Sequence, residues 1–185
     1  MTWLVLGLTL WIVAHGFRRV APRARAAMGD AGKGLVAVTL LAGVVLMVIG
    51  YRAAPMVPLY TPLPGMGHLN NLLMLVAVFL LGAGHAHGVV AARLRHPMLS
   101  AVVLWSVAHL LVNGDLASLL LFGGLGLWAL WQMLAINRTE GVWVRPAPGP
   151  VRNDMILAVI AILLFGVITG IHIWLGHNPF LGTYR

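Results

Sequence analysis

The sequence predicts an all-α, polytopic membrane protein, and two observations indicate this class: long apolar segments, and cations placed in alternate gaps between them. Of the 185 residues, 61% are hydrophobic and 9% are charged. A helix needs about 20 apolar residues to cross a hydrocarbon core of about 30 Å, and soluble domains do not carry successive apolar segments of that length. Six spans are predicted, at residues 2–17, 35–51, 69–92, 98–112, 116–136 and 155–175.

The positions of lysine and arginine predict the orientation of these spans. If six helices alternate in direction, ten of the twelve cations fall on one side, and Arg52 and Arg185 fall on the other. Cytoplasmic loops carry the excess of cations in membrane proteins, so we expect six transmembrane helices with both termini on the periplasmic side of a bacterial inner membrane. Anionic lipid headgroups then account for the net charge of +8, and no nucleic-acid partner is expected.

The chain outside the spans is short and rich in turn residues. The first span is followed by Arg18 and Arg19 rather than preceded by cations, which is the reverse of a cleavable signal, so a retained first helix is expected. Four prolines predict an irregular outer loop over residues 52–67, and three prolines predict an extended cytoplasmic loop over residues 137–154. We therefore expect a single domain over residues 1–185.

Several helix ends and helix contacts are also predicted. Pro97 fits the first turn of the fourth helix, and Asp115 fits the N-cap of the fifth. Asn153 and Asp154 fit the N-cap region of the sixth helix. Two Gly-x-x-x-Gly pairs predict close helix contacts; they are Gly84 with Gly88, and Gly166 with Gly170.

Eight histidines and no cysteine define the available chemistry. Without cysteine there is no thiolate ligand, no iron–sulfur cluster and no covalent haem attachment, so any metal must depend on histidine. Ionisable groups are costly within hydrocarbon and normally face a protein interior or cavity. At about 1.5 Å of rise per residue, His15 falls near the cytoplasmic side, whereas His68, His109 and His172 fall toward the outside.

The fourth helix carries the most distinctive polar face. Trp105, His109 and Asn113 are spaced four apart and therefore share one face, which suits a flat cofactor or a small hydrogen-bonding ligand. The alternative is that His109 satisfies a carbonyl and that Trp105 is ordinary core. His172 has the alternative role of an interfacial ring. Asp115 is either a cap or a carboxylate that orients His109 or His172.

The segment Arg95-His96-Pro97, followed by Trp105 through Asp115, resembles the signature stretch of the NnrU family. The resemblance extends to His15, to His68-Leu69 and to the stretch that begins Asn153-Asp154, and it covers nearly the whole chain. It implies a role in denitrification, in the handling of nitrite and nitric oxide.

The same family includes the plant-type 15-cis-zeta-carotene isomerase, a membrane enzyme that holds a b-type haem. Carried over by motif, its haem-ligand histidines correspond to His15 and His109. The resemblance therefore implies haem b with these two residues on the iron, and a carotenoid or other apolar molecule as a possible small-molecule partner. His68 and His172 are the alternative partners of His109, because a straight-helix estimate places His15 at a different depth, roughly 10–15 Å away.

The leading functional hypothesis is a haem-dependent redox or isomerase-like membrane protein of nitrogen-oxide metabolism. The non-catalytic alternative is an accessory or assembly subunit of a larger membrane complex. A small membrane methyltransferase is a weaker alternative, in which His96 and Arg95 would act at the cytoplasmic interface. A transporter ranks third, because the predicted spans contain no carboxylate and the sequence shows no internal repeat.

Overall fold

A computed structural model describes residues 1–181. Within them every secondary-structure element is a helix, and there is no β-strand. Arg185, expected on the outer side, lies outside the described residues. The helices are α1 Thr2–Val20, α2 Pro22–Ala27, α3 Gly29–Arg52, α4 Met66–Ala86, α5 Pro97–Leu110, α6 Leu116–Glu140 and α7 Val151–Trp174. Residues Leu119–Gly123 of α6 form a π-helical turn. The all-α prediction is confirmed.

Four of these helices are long and apolar enough to cross a membrane: α3, α4, α6 and α7. Their outward surfaces are apolar, as shown by Leu41 and Leu163, each 65% exposed, which indicates contact with lipid. The first predicted span is the 19-residue helix α1, and the fourth is the shorter helix α5 of 14 residues. Neither of these belongs to the four, so the count of six spans stays a prediction.

The predicted helix boundaries differ most at the third span. Prolines exclude a helix from the preceding loop, and α4 begins after Gly65, whose φ of +81° is accessible to glycine at little cost. The helix ends at Ala86, where His87 takes a left-handed conformation with φ of +49°. The prediction of helix up to residue 92 is therefore wrong, because the chain turns through residues 88–93 instead.

The chain forms two compact units, which are described separately. The first contains Met1–Leu59 and Asp115–Gly124. In it α1 and α3 run antiparallel and cross closely at glycines. A Cβ on Gly7 would lie 2.6 Å from the backbone nitrogen of Met47, and a Cβ on Gly50 would overlap the backbone of Leu4. Small residues let helices approach to backbone contact, which is how helices associate in an apolar solvent.

The second unit contains Tyr60–Gly114 and the chain from Leu125 onward. In it α4 packs against both α5 and α7. A Cβ on Gly82 of α4 would lie 2.5 Å from a methyl group of Leu157 on α7. Gly126 of α6 lies against Ser106 of α5, where a Cβ would lie 2.9 Å from the serine Cβ. In this unit, therefore, glycines leave room for side chains of the neighbouring helices.

Asn153 and Asp154 do not cap their own helix, which was the expectation. Helix α7 begins earlier, at Val151, after Pro150. The Asn153 side chain donates to the Ala86 carbonyl at 2.9 Å, and the Asp154 carboxylate accepts from the backbone N–H of Val89 at 2.7 Å. The two side chains instead satisfy backbone groups at the end of α4 and in the turn after it. The cause is tertiary packing, which brings the first turn of α7 against that turn.

The two Gly-x-x-x-Gly pairs do not make the expected close helix contacts within the chain. Gly88 lies in the turn after α4, where a Cβ would overlap the Asp154 carboxylate, and Gly84 makes only an ordinary contact with Pro97. Gly166 and Gly170 face open space, since a Cβ on either would meet nothing within 4 Å. Spacing alone did not predict which glycines lie at a helix crossing.

Replacing Gly50 with leucine should destabilise the first unit. A side chain at this position overlaps helix backbone, which cannot move aside as a flexible side chain can, so we expect a loss of at least about 1–3 kcal/mol, the usual cost of overpacking. The free energy of unfolding would be measured in detergent by denaturant titration. Gly34→Leu in the same helix is the matched control, because a Cβ at Gly34 meets nothing within 4 Å. Equal losses in both variants would contradict the packing argument.

Candidate functional site

Three of the histidines singled out by the sequence share one hydrogen-bonding arrangement. The Nδ1 atom of His15 lies 3.0 Å from the Trp11 carbonyl oxygen, and that of His109 lies 2.9 Å from the Trp105 carbonyl oxygen. His172 makes the same contact with the Ile168 carbonyl oxygen at 2.8 Å. A carbonyl only accepts, so Nδ1 carries the proton and, in the neutral ring, Nε2 holds the lone pair. This is the tautomer in which imidazole binds a metal through Nε2.

An indole ring distinguishes two of these three histidines from the third. The ring centroids of Trp11 and His15 are 4.3 Å apart with planes inclined at 44°, and those of Trp105 and His109 are 5.0 Å apart with planes inclined at 49°. The residue four before His172 is Ile168, which has no ring. The structure thus contains two matched Trp–His pairs, one on α1 in the first unit and one on α5 in the second.

The predicted face of Trp105, His109 and Asn113 is present but not all of it is helical. Helix α5 ends at Leu110, and Asn113 folds back so that its side-chain amide donates to the His109 carbonyl at 2.9 Å. Its carboxamide therefore satisfies the end of the helix. Ser106, next to this face, is 3% exposed, and its hydroxyl has no hydrogen-bond partner among residues 1–181.

The alternative partners of His109 are more exposed than His109 itself. His68 on α4 and His172 on α7 are exposed, whereas His109 is half-buried. Within residues 1–181, no group of three or more His, Cys, Asp or Glu side chains is arranged to hold a metal ion. A site built from several protein ligands is therefore not found in the described part of the chain.

The Arg95-His96-Pro97 motif connects the start of α5 with the end of α6. His96 is the residue before the helix, and its Nε2 donates to the Asn137 side-chain oxygen at 2.9 Å. The Arg95 guanidinium donates to the Gly141 carbonyl at 2.8 Å and lies 3.6 Å from the Glu140 carboxylate. Pro97 occupies the first turn as predicted. The structure thus gives this motif a structural role; a catalytic role for His96 stays a prediction.

Asp115 is the N-cap of α6, which confirms one of its two predicted roles. Its carboxylate accepts from the Ser118 backbone N–H at 3.0 Å and from the Ser118 hydroxyl at 2.5 Å. The Ser118 hydroxyl also lies 2.8 Å from the Tyr51 hydroxyl. Because an ionised carboxylate only accepts, the Ser118 hydroxyl donates its hydrogen bond to Asp115. The Tyr51 hydroxyl in turn donates to the Ser118 oxygen. The other role, orientation of His109 or His172, stays a prediction.

Two tyrosines with structural roles were missed by the sequence analysis. Tyr51 extends the Asp115 cap, and Tyr60 holds the turn that follows α5. The Tyr60 hydroxyl donates to the Asn113 carbonyl at 2.8 Å and contacts the Leu110 carbonyl, while its backbone N–H donates to Gly114 at 3.1 Å. A Cβ on Gly114 would overlap the Tyr60 carbonyl. The glycine was a signal for this contact, although it did not identify the partner.

Comparison with known protein families identifies the family of this chain. A model of the NnrU protein family matches residues 3–179, nearly the whole chain. The chain belongs to the NnrU family. Comparison with curated proteins gave no match, and comparison with solved structures gave none. The NnrU resemblance of the motifs is therefore confirmed, and both Trp–His pairs lie within the matched range. The single domain expected over residues 1–185 stays a prediction.

Replacing Asp115 with alanine should destabilise this NnrU chain, because the Ser118 N–H and hydroxyl lose their acceptor. Loss of an N-cap costs about 0.5–2 kcal/mol. Asp115→Asn should keep most of the stability, since asparagine caps as well as aspartate does. The measurement is the free energy of unfolding in detergent, with Asp30→Ala as control, because Asp30 makes only an exposed pair with Lys33. If the asparagine variant were as unstable as the alanine variant, charge rather than capping would be the role of Asp115.

Proposed function

We propose that this NnrU protein is a b-type haem protein of the bacterial inner membrane, with His15 and His109 as iron ligands. It acts in nitrogen-oxide metabolism as a redox or isomerase-like protein. The observation that carries the proposal is the pair of matched Trp–His contacts. Within the described residues, these contacts involve His15 and His109, the two histidines to which the family motif points, and this agreement supports the proposal.

The residues present fit a haem iron on chemical grounds. Each Nδ1–H donates to a backbone carbonyl. In this tautomer the neutral ring carries its lone pair on Nε2, and neutral imidazole is a good iron ligand. Each indole adds an apolar, flat surface beside the ligand, which suits a porphyrin environment. Haem supplies electron transfer, gas binding or substrate activation, according to its ligands and the polarity of its pocket.

The protein's own contribution would be binding and orientation rather than acid–base chemistry. The four carboxylates of the chain are used for capping, for contacts at helix ends or for surface pairs: Asp115 with Ser118, Asp154 with Val89, Glu140 with Arg95 and Asp30 with Lys33. An apolar substrate such as a cis-carotenoid would reach the protein from the lipid through its apolar outer surface. For a nitrogen-oxide substrate, the haem would supply the redox chemistry.

A second function is favoured by one observation. Gly166 and Gly170 form an open small-residue face on α7 that no other part of the described chain covers. Faces of this kind permit close contact with another membrane helix, as an accessory or assembly subunit of a larger complex would need. In this case the histidines would only satisfy buried carbonyls.

We also propose six spans with both termini in the periplasm, with the cations of the inner loops next to cytoplasmic lipid. The chain has no cysteine, so single cysteines introduced one at a time report their side of the membrane without background. A cysteine at Ala26 should be protected from an impermeant thiol reagent in intact cells, and a cysteine at Met56 should react. Reaction at Ala26 with protection at Met56 would reverse the topology.

Purified protein should show a Soret band that His109→Ala removes and His15→Ala removes or shifts. The reason is that an iron with one ligand lost changes its coordination or dissociates. His85→Ala, an exposed histidine at the end of α4, is the control and should keep the wild-type spectrum. Absorption spectra of the ferric and ferrous protein provide the measurement.

Other results of the same experiment discriminate between the hypotheses. Loss of the band in His68→Ala or His172→Ala, with no change in His15→Ala, would replace His15 as the second ligand. A colourless wild-type protein that copurifies with a larger assembly would favour the accessory subunit. The isomerase function needs a separate experiment, expression in a host that accumulates cis-carotenoids. Unchanged pigment in that host would exclude this function.

A further inference from the structure

We propose that Trp11 and Trp105 are positioning residues, which set the ring orientation of His15 and His109. The inference deepens the proposed function and rests on it: the two indoles orient the two haem ligands. Neither tryptophan needs to touch the cofactor for this role. Each indole contacts its histidine within one unit, Trp11 with His15 in the first and Trp105 with His109 in the second.

The hydrogen bond to the carbonyl does not by itself fix an imidazole. Rotation of a histidine ring about χ2 is broad rather than restricted to staggered wells. A single contact at Nδ1 therefore holds one atom and leaves the ring plane free to tilt about it. A second contact on the ring itself is needed to fix that plane, and thereby the direction of Nε2.

The indole supplies this second contact in both pairs, with closely similar geometry. The two centroid distances, 4.3 and 5.0 Å, and the two interplanar angles, 44° and 49°, describe tilted aromatic contacts of one kind. The spacing of four residues places both rings on one helix face. Tryptophan thus provides two contacts to its histidine, the carbonyl from its backbone and the indole from its side chain.

His172 shows which of these contacts is specific. It makes the carbonyl contact at 2.8 Å with Ile168, a residue that has no ring. Any residue four positions earlier in a helix offers a carbonyl, so the hydrogen bond is general, whereas the indole contact depends on the side chain at positions 11 and 105. Replacing these tryptophans removes the ring contact and keeps the hydrogen bond.

The orientation of an axial imidazole affects the electronic structure of the iron it binds. Groups that orient a ligand from outside the coordination shell change metal affinity and the properties of the metal. In a ferric haem with two imidazoles, the electron paramagnetic resonance signal depends on the planes of the two rings. A change in ring orientation is therefore visible in haem that remains bound, independently of how much protein folds.

The test uses full-length protein in detergent with Trp105→Leu, Trp11→Leu and the conservative variants Trp105→Phe and Trp11→Phe. The leucine variants should shift the ferric resonance signal and should transfer haem to apomyoglobin roughly tenfold faster, the lower end of the range for groups that orient metal ligands. The phenylalanine variants should lie closer to wild type, because they retain an aromatic face. They also keep the test open if a leucine variant fails to fold.

Matched controls come from exposed tryptophans that contact no histidine in the described contacts. Trp3→Leu lies on α1 with Trp11, and Trp131→Leu lies on α6; their side chains are 54% and 42% exposed. Both should keep the wild-type signal and transfer rate. Nitrogen-15 spectra of histidine in haem-free protein give a second readout, in which the His109 ring should become more mobile in Trp105→Leu than in Trp131→Leu.

The outcomes separate the two proposals. Haem-containing leucine variants with unchanged resonance signal, transfer rate and ring mobility would overturn the positioning role and leave haem binding intact. A wild-type protein that takes up no haem would overturn the proposed function and the positioning of haem ligands with it, while the nitrogen-15 comparison would show whether the indoles restrain the rings. Lower haem content with an unchanged signal would indicate a merely structural role, and would also overturn the inference.

Discussion

Hydrogen bonding of polar groups within the protein is the constraint on which this structure depends. In hydrocarbon there is no water to satisfy a backbone or side-chain group, so a hydrogen bond to a partner in the chain is strongly favoured. The histidines of α1, α5 and α7 bond to carbonyls of their own helices. Asn113 bonds to the His109 carbonyl, and Asp115 holds Ser118. Polar residues that looked like a ligand-binding face by spacing alone are in part occupied by this requirement.

Close approach at glycine is the second determinant of the fold. In lipid there is little hydrophobic gain from bringing two apolar helices together, so packing depends on how nearly their backbones can approach. Gly7 and Gly50 allow this between α1 and α3, whereas Gly82 of α4 leaves room for the Leu157 side chain of α7. The open glycines of α7 show the converse, because a small residue promotes contact only where another helix lies opposite it.

The candidate site combines these two requirements. A helical histidine whose Nδ1–H donates a hydrogen bond to a carbonyl is satisfied as a polar group. The same bond selects the tautomer with the lone pair on Nε2, which is the tautomer that binds a metal through Nε2. The structural and functional explanations of His109 therefore do not exclude each other. What separates His15 and His109 from His172 is an aromatic neighbour. This makes Trp11 and Trp105 more informative about the site than the hydrogen bonds are.

The Arg-His-Pro motif and the Asn-Asp pair before α7 have a common explanation. Both lie at helix ends, and both satisfy backbone or side-chain groups of another element: Asn137 and Gly141 in the first case, and Ala86 and Val89 in the second. Each motif therefore fixes the meeting point of two helix ends. A sequence signature of this kind marks architecture as well as chemistry.

The sequence by itself determined the all-helical class, the apolar surface, the proline-rich loops, the start of α5 and the cap at Asp115, because each depends on local composition or on residues within one turn. It also identified the family. Tertiary structure decided where α4 ends, which glycines lie at crossings, and that Asn153 and Asp154 satisfy a different element. These features depend on contacts between residues far apart in the chain, such as Asp154 with Val89, and no local pattern specifies which distant backbone group will lie opposite a given side chain.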